Sequence, residues 1–195
     1  MATTKNKNTS LFFQALVIAT VAEYAGLFYW VDQVDKGHIW LGIAIVLVGL
    51  LAERISVYML IHAVWGPKPP HKYLILNLVI AGIGETLAWL VWLYLADGPL
   101  GLVWASILLG VALLFEHSIQ IGFFMQIKAF KHVLDPLTIV FSALEGAVAF
   151  FWLYFVRNDH MVWGMLVLFV GLTVEHIIQG SVIGTEPPKG SKVTA

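Results

Sequence analysis

Six apolar stretches recur along the chain, and polar breaks separate them. Each holds about 20 or more residues, which is enough to cross a hydrocarbon layer of about 30 Å as a helix. Turn-forming residues fill the breaks, as in Gly98-Pro99 and Asp135-Pro136. The pattern predicts six transmembrane helices, over residues 11–31, 39–65, 73–96, 101–127, 137–156 and 161–183.

Lysine and arginine are distributed unevenly between the loops. Eight lie in the N-terminus, the second and fourth loops and the C-terminus: Lys5, Lys7, Lys68, Lys72, Lys128, Lys131, Lys189 and Lys192. The other three loops hold only Lys36 and Arg157. Because cytoplasmic loops are enriched in Lys and Arg, both termini are predicted to be cytoplasmic. The expected location is the plasma membrane or an equivalent energy-transducing membrane.

Composition narrows the class of protein. The chain is 59% hydrophobic and only 12% charged, whereas a soluble domain carries about 25% charged residues. A net charge of −1 without a basic block excludes nucleic acid as a partner, and the absence of cysteine excludes disulfides and thiolate metal sites. An integral membrane protein is expected, in contact with the lipid bilayer and with membrane partner subunits or further copies of itself.

A repeat of about 61 residues runs through the chain, built from glutamate and tryptophan at regular spacing. A first glutamate precedes a Trp by seven positions, in the pairs Glu23/Trp30, Glu85/Trp92 and Glu145/Trp152. A second glutamate follows a Trp by 12 or 13 positions, in the pairs Trp40/Glu53, Trp104/Glu116 and Trp163/Glu175. In two repeats the second glutamate is followed by His and then Gln, in the pairs His117/Gln120 and His176/Gln179, whereas Arg54 takes the His position in the first repeat.

Each repeat corresponds to one helical hairpin, and all three hairpins enter the membrane from the same side. Repeats of like orientation are related by an axis along the membrane normal. The predicted fold is therefore an all-α integral membrane protein, a six-transmembrane-helix bundle of three repeated helical hairpins with pseudo-threefold symmetry. The hairpins are predicted at residues 11–65, 73–127 and 137–183, between tails at residues 1–10 and 186–195.

The six repeated glutamates are predicted to lie near the middle of the membrane. With Trp at the interface as a depth marker, the first and second glutamates form two layers separated by about 8 Å. One ionised carboxylate there costs at least about 2.5–3.5 kcal/mol, so six would exceed the stability of about 5–15 kcal/mol of a typical fold. Arg54 and protonated His117 and His176 would neutralise three charges. The other three require bound protons, shared protons or metal cations.

Carboxylate oxygens and imidazole nitrogens together favour a divalent metal site for iron, manganese or zinc. The predicted ligands are Glu23, Glu53, Glu85, Glu116, His117, Glu145, Glu175 and His176, supported by Arg54, Gln120 and Gln179. Soluble di-iron carboxylate proteins also use Glu and His on bundle helices, but in a Glu-x-x-His pattern that this chain lacks. A membrane redox enzyme with a di-metal carboxylate centre is the leading hypothesis, with no catalytic residue assigned.

Two other functions are compatible with the same residues. Acidic groups that face a bundle interior mark proton and cation paths, so a transporter or channel is the first alternative. The second is a structural subunit of a larger membrane complex, in which protonated glutamates bond between helices for about 0.6–2 kcal/mol each. The spans lack the central Gly/Pro breaks of transporters with unwound helices, which disfavours the first alternative.

The positions of aromatic and small residues predict where they lie in the bundle. Trp30, Trp92 and Trp152 and the rings beside them are expected in the interfacial belt of the membrane. Small residues lie four positions before each second glutamate, where they would allow close helix approach: Gly49, Ala112 and Gly171.

Overall fold

The computed structural model describes residues 2–65, 71–124 and 136–184, and it describes side chains chiefly within 16–56, 82–119 and 138–178. Over these residues the chain forms six α-helices and no strand, which confirms the all-helical prediction. The helices are α1 (Ala2–Asp35), α2 (Ile39–Trp65), α3 (His71–Ala96), α4 (Gly101–Phe124), α5 (Pro136–Arg157) and α6 (Met161–Gly184). Residues 2–10, predicted as a tail, continue α1, since neither Gly nor Pro interrupts the helix there. The C-terminal tail lies outside the described residues.

Short turns connect the helices within each hairpin. In the first turn Gly37 has a positive φ of 81°, and the His38 N–H donates to the Gln33 carbonyl at 2.8 Å. A left-handed residue followed by such a bond is the usual C-terminal cap of a helix. Asp159 takes the left-handed conformation in the third turn, with a φ of 61°, which Asp tolerates better than most residues. These caps end the first helix of the first and third hairpins, and the chain reverses within three residues in each.

One arginine joins the three turns at a common end of the bundle, called the turn end below. Arg157 Nη1 donates to Asp35 Oδ2 at 2.7 Å, and its Nη2 donates to Asp97 Oδ2 at 2.8 Å. Each of these residues lies 12 positions after the first glutamate of its hairpin. The helices α1, α3 and α5 therefore converge at the turn end.

The helices pack as a closed ring in chain order. Each helix contacts the next one, and α6 returns to contact α1. In the first hairpin Gly49 lies so close to Gly26 that a Cβ added to Gly49 would be 2.6 Å from Gly26 Cα. The small residue at position 49 thus permits close helix approach.

The other two small residues, Ala112 and Gly171, do not make the close backbone contact that Gly49 makes. Ala112 is exposed, and the close contact between α4 and α5 is made by Gly110 and Gly146 instead. A Cβ added to Gly146 would lie 3.2 Å from Gly110 Cα. Gly171 packs against the side chain of Val148 rather than against backbone. Which small residue makes a crossing depends on how each helix is rotated, and the spacing along the chain does not determine that rotation.

The outer surface of the ring is apolar. Among the described residues, four helices contain a segment long and apolar enough to cross a membrane: Ile39–Ser56, Gly101–Ile119, Thr138–Arg157 and Met161–Ile178. The described apolar part of α3, Gly82–Ala96, is shorter. Large side chains such as Val48 and Val162 face outward, as expected for helices in contact with lipid. The chain is therefore an integral membrane protein in a lipid bilayer.

A layer of buried tryptophans fills the interior on the turn-end side. Trp30, Trp89, Trp92 and Trp152, called the tryptophan layer below, are each at most 1% exposed. Trp92 stacks on Trp152 with ring centroids 6.0 Å apart, and its Nε1 donates to Ser106 Oγ at 3.1 Å. The prediction that these rings belong to the interfacial belt is wrong. Seven positions are only about 20° short of two helical turns, so a Trp at this spacing shares the inward face of the first glutamate.

The second set of tryptophans behaves differently. Trp40, Trp104 and Trp163 are between 60% and 83% exposed and lie on the outer surface near the turn end. Tryptophan prefers that depth in a bilayer because its ring is apolar and its N–H is polar.

Candidate metal centre

The six repeated glutamates all turn into the bundle. Their exposed fractions lie between 2% and 8%, one glutamate coming from each helix: Glu23, Glu53, Glu85, Glu116, Glu145 and Glu175. The three basic residues beside the second glutamates are buried as well: Arg54, His117 and His176. Nine ionisable groups thus share the interior of the bundle.

These basic residues connect consecutive hairpins. The residue after each second glutamate contacts the first glutamate of the next hairpin around the ring. His117 Nε2 lies 3.5 Å from Glu145 Oε2, and His176 Nε2 lies 3.5 Å from Glu23 Oε2. Arg54 donates to Glu85 Oε2 through Nη2 and also through Nε, the latter at 3.0 Å. The same contact therefore occurs from α2 to α3, from α4 to α5 and from α6 to α1.

Each basic residue also contacts the second glutamate that precedes it. The distances are 3.0 Å for Arg54 Nε to Glu53 Oε2, 3.6 Å for His117 Nε2 to Glu116 Oε2 and 3.4 Å for His176 Nδ1 to Glu175 Oε2. Two further contacts cross between hairpins, from Arg54 Nη2 to Glu116 Oε1 and from His176 Nε2 to Glu53 Oε1, both at 3.5 Å. The groups form one connected network rather than three separate pairs.

Hydroxyl groups and a carbonyl orient the two imidazoles. His176 Nδ1 lies 2.8 Å from the Leu172 carbonyl oxygen and 3.3 Å from Thr20 Oγ1. Because a carbonyl only accepts hydrogen bonds, Nδ1 carries the hydrogen, and in the neutral ring the lone pair lies on Nε2. His117 Nδ1 lies 2.9 Å from Ser142 Oγ, a hydroxyl that can donate or accept this hydrogen bond. Nε2 of each ring faces a carboxylate of a neighbouring helix.

Thr20 and Ser142 are not among the predicted site residues, although the repeat contains a signal for them. Thr20 and Ser142 each lie three positions before a first glutamate, and therefore occupy equivalent positions in two hairpins. Gly82 takes that position in the remaining hairpin. At this position a hydroxyl is present in each hairpin that receives an imidazole, and Gly82 takes its place in the hairpin that receives Arg54.

Three groups of side chains bring potential metal ligands within 4.8 Å of one another: Glu23/Glu175/His176, His117/Glu145/Glu175 and Glu23/Glu85/Glu145. Together they contain four glutamates and two histidines. Glu175 is a second glutamate, and it shares one group with the first glutamate Glu23 and another group with the first glutamate Glu145. The oxygens of these residues therefore lie within 4.8 Å of one another and not in two layers about 8 Å apart. The buried Glu/His groups are arranged so that they could hold metal.

The remaining predicted site residues lie apart from these groups or outside the described side chains. Glu53 and Glu116 belong to none of the three groups and instead contact Arg54. The side chains of Gln120 and Gln179 lie outside the described residues. Arg54 is the one permanently charged cation that the described residues place in this network.

A small cavity of about 10 Å³ lies inside the cluster, which is close to the space that one water-sized sphere requires. Its lining consists of polar side chains: Glu23, Glu53, Arg54, Glu85, His117, Glu145, Glu175 and His176. Among the described residues, Glu145 Oε2 and Arg54 Nη1 have no hydrogen-bond partner. Buried polar atoms normally have partners, and the polar cavity beside these atoms has room for about one small group.

No protein-family model matches the chain, and neither curated proteins nor solved structures yield a match. Any functional conclusion therefore depends on the geometry and charge of the buried cluster and on the apolar helices around it.

Proposed function

We propose that the cluster is a buried metal centre that binds two divalent ions. The proposed ligands are Glu23, Glu85, His117, Glu145, Glu175 and His176. The observation that carries the proposal is the orientation of the imidazoles: Nδ1 of each ring is held by another group, while Nε2 faces a buried carboxylate. Histidines that bind metals are usually oriented in this way, with the second ring nitrogen bonded to a hydroxyl, carbonyl or carboxylate.

The donor atoms and their spacing support iron, manganese or zinc. Oxygen and imidazole ligands without thiolates suit these ions. Ligands of one ion at metal–ligand distances of about 2.0–2.2 Å lie at most about 4.4 Å apart. The ligand atoms in each group lie within 4.8 Å of one another, so a contraction of at most a few tenths of an ångström, by rotation of side chains, would bring them to binding distance.

The balance of charge also supports two ions. With both imidazoles neutral, as metal ligands require, six carboxylates and one guanidinium carry five net negative charges. Two divalent ions would reduce this to one, which a single shared proton would neutralise. Leaving the carboxylates ionised without such cations would cost at least about 2.5–3.5 kcal/mol for each one.

A bound pair of ions would supply redox or Lewis-acid chemistry at this position. The chain itself would hold the ligands and exclude water, because the tryptophan layer lies about 10 Å from the first glutamates toward the turn end. This supports a membrane metal-dependent oxidoreductase whose electrons come from a membrane partner or a small molecule. The same layer disfavours the alternative of proton or cation translocation, since it blocks a polar path in that direction.

The wider architecture that we propose is a bundle of six spans with pseudo-threefold symmetry and with both termini in the cytoplasm. Support for the symmetry comes from residues at equivalent repeat positions that meet in space. The first glutamates share one group within 4.8 Å, and Arg157 contacts Asp35 and Asp97 at the equivalent positions 12 residues later. The uneven distribution of lysine supports the orientation.

Metal analysis of detergent-purified protein by mass spectrometry tests the proposal. Two divalent ions per chain are expected, and His117→Gln with His176→Gln should lose them. The matched control is His38→Gln with His160→Gln, because these histidines are exposed and lie at equivalent positions at the turn end. Less than about 0.2 metal per chain after loading with iron, manganese or zinc would overturn the proposal. Proton or metal flux in proteoliposomes that depends on the same glutamates would favour the transport alternative.

A further inference from the structure

Arg54 occupies the position that an imidazole occupies in the other two hairpins. Like His117 and His176, it follows a second glutamate, contacts that glutamate and reaches the first glutamate of the next hairpin. Its contacts with Glu53 and Glu85 are the counterparts of the two carboxylate contacts of each histidine. The cluster thus has three similar positions for a positive group, and the chain fills one of them with a guanidinium.

The surroundings of this position are adapted to arginine rather than to histidine. Each imidazole has a hydroxyl beside its Nδ1, supplied by Ser142 or Thr20, whereas Gly82 stands at the equivalent position before Glu85. A Cβ added to Gly82 would meet the Leu51 Cδ2 atom at 2.8 Å. The third position therefore lacks the group that orients a metal-binding imidazole.

The structure assigns three cation positions to the cluster, of which Arg54 permanently fills one and divalent ions fill the other two. This inference rests on the proposed metal centre and specifies its composition. Arg54 engages Glu53 and Glu85 directly and contacts Glu116, so its single positive charge already offsets part of the charge of these three carboxylates. Arg54 also lines the small cavity. A third divalent ion would have to displace the guanidinium and overcome its positive charge.

A chain in which histidine replaces the guanidinium is expected to bind a third divalent ion. His at position 54, with Ser at position 82 to orient it, would reproduce the arrangement of the other two hairpins. Three divalent ions would then balance six carboxylates, so the altered cluster has both the ligands and the charge for a third ion. The Cβ at position 82 meets only the end of the flexible Leu51 side chain, so a small movement of Leu51 accommodates it.

The test is metal stoichiometry, measured by mass spectrometry after loading with zinc or manganese and removal of free metal. The protein with Arg54→His and Gly82→Ser is expected to bind three ions per chain, against two in the unaltered protein. Gly82→Ser alone is the matched control, because it adds the hydroxyl, keeps the guanidinium and should keep two ions. Size-exclusion elution and the midpoint of thermal unfolding establish that each variant is folded.

Two results would overturn the inference while leaving the proposed metal centre intact. One is a folded double variant that still binds two ions. The other is an unaltered protein that binds a third ion at saturating metal in equilibrium dialysis, and this measurement stands even where the double variant does not fold. An unaltered protein without bound metal would instead overturn the proposed metal centre itself.

Discussion

Ser142 Oγ lies 2.9 Å from His117 Nδ1, and this contact joins α5 to α4 inside the bundle. Both side chains are at most 2% exposed. The hydroxyl lies on the side of the imidazole opposite the carboxylates, since Nε2 of the same ring faces Glu116 and Glu145. Ser142 thereby helps to fix the orientation of the His117 ring, with Nε2 toward the carboxylates.

Ser142→Ala is expected to weaken metal binding about 10- to 100-fold, the usual effect of removing a group that orients a ligand. The physical reason is that His117 would lose the partner of Nδ1 and with it a preferred ring orientation. Competition with a chelator of known affinity measures the change. Ser118→Ala is the matched control, because Ser118 is buried beside His117 but donates to the Leu114 carbonyl of its own helix. Equal effects of the two substitutions would contradict this role of Ser142.

Gly49→Ala is expected to destabilise the first hairpin by about 1–3 kcal/mol, the range for adding a methyl group to a tightly packed site. The added Cβ would lie 2.6 Å from Gly26 Cα and 2.9 Å from the Ala22 carbonyl oxygen. Both contacts are with backbone, so rotation of a side chain cannot relieve them. The free energy of unfolding in mixed micelles measures the loss. Gly84→Ala serves as the control, because its Cβ would meet nothing within 4 Å; similar losses at both sites would refute the close-packing explanation.

Arg157→Gln is expected to lower the thermal midpoint modestly, because it removes two ion pairs at the turn end. Its side chain and those of Asp35 and Asp97 are 36–46% exposed, and exposed pairs contribute about 1 kcal/mol or less each. The difference should shrink at high salt, which screens exposed charges. Lys36→Gln is the control, since the ion pair between Lys36 and Asp32 lies within the first hairpin and does not join it to another hairpin. A midpoint unchanged at low salt would show that Arg157 does not join the hairpins.

The two tryptophan sets should differ in their access to lipid. In bilayers of brominated lipid, Trp163→Phe is expected to remove a quenchable part of the fluorescence, because Trp163 is 60% exposed on the outer surface. Trp152→Phe should leave the quenchable part unchanged, because Trp152 is buried against Trp92. Both residues belong to the third hairpin, so each serves as the control for the other. Equal quenching of both would contradict the buried tryptophan layer.

The sequence predicted much of the cluster because membrane burial restricts residue types severely. Glutamate inside an apolar helix has to face the protein interior, so the repeated spacing alone identified the six buried carboxylates. The general preference of tryptophan for the interface predicts the wrong position for Trp30, Trp92 and Trp152. Their spacing of seven positions from a glutamate favours the buried face, and in this bundle that spacing outweighs the general preference.

What the amino-acid order determines by itself is local: where helices form, which side chains avoid lipid, and the recurrence of Glu, Trp and a basic residue in each hairpin. These properties depend on helical period and solvent preference, which act within a few turns. The tertiary structure decided the partners, since His117 meets Ser142 25 positions away and His176 meets Thr20 156 positions away. Such pairings depend on the tilt and rotation of each helix against its neighbours, which follow from packing across the whole ring.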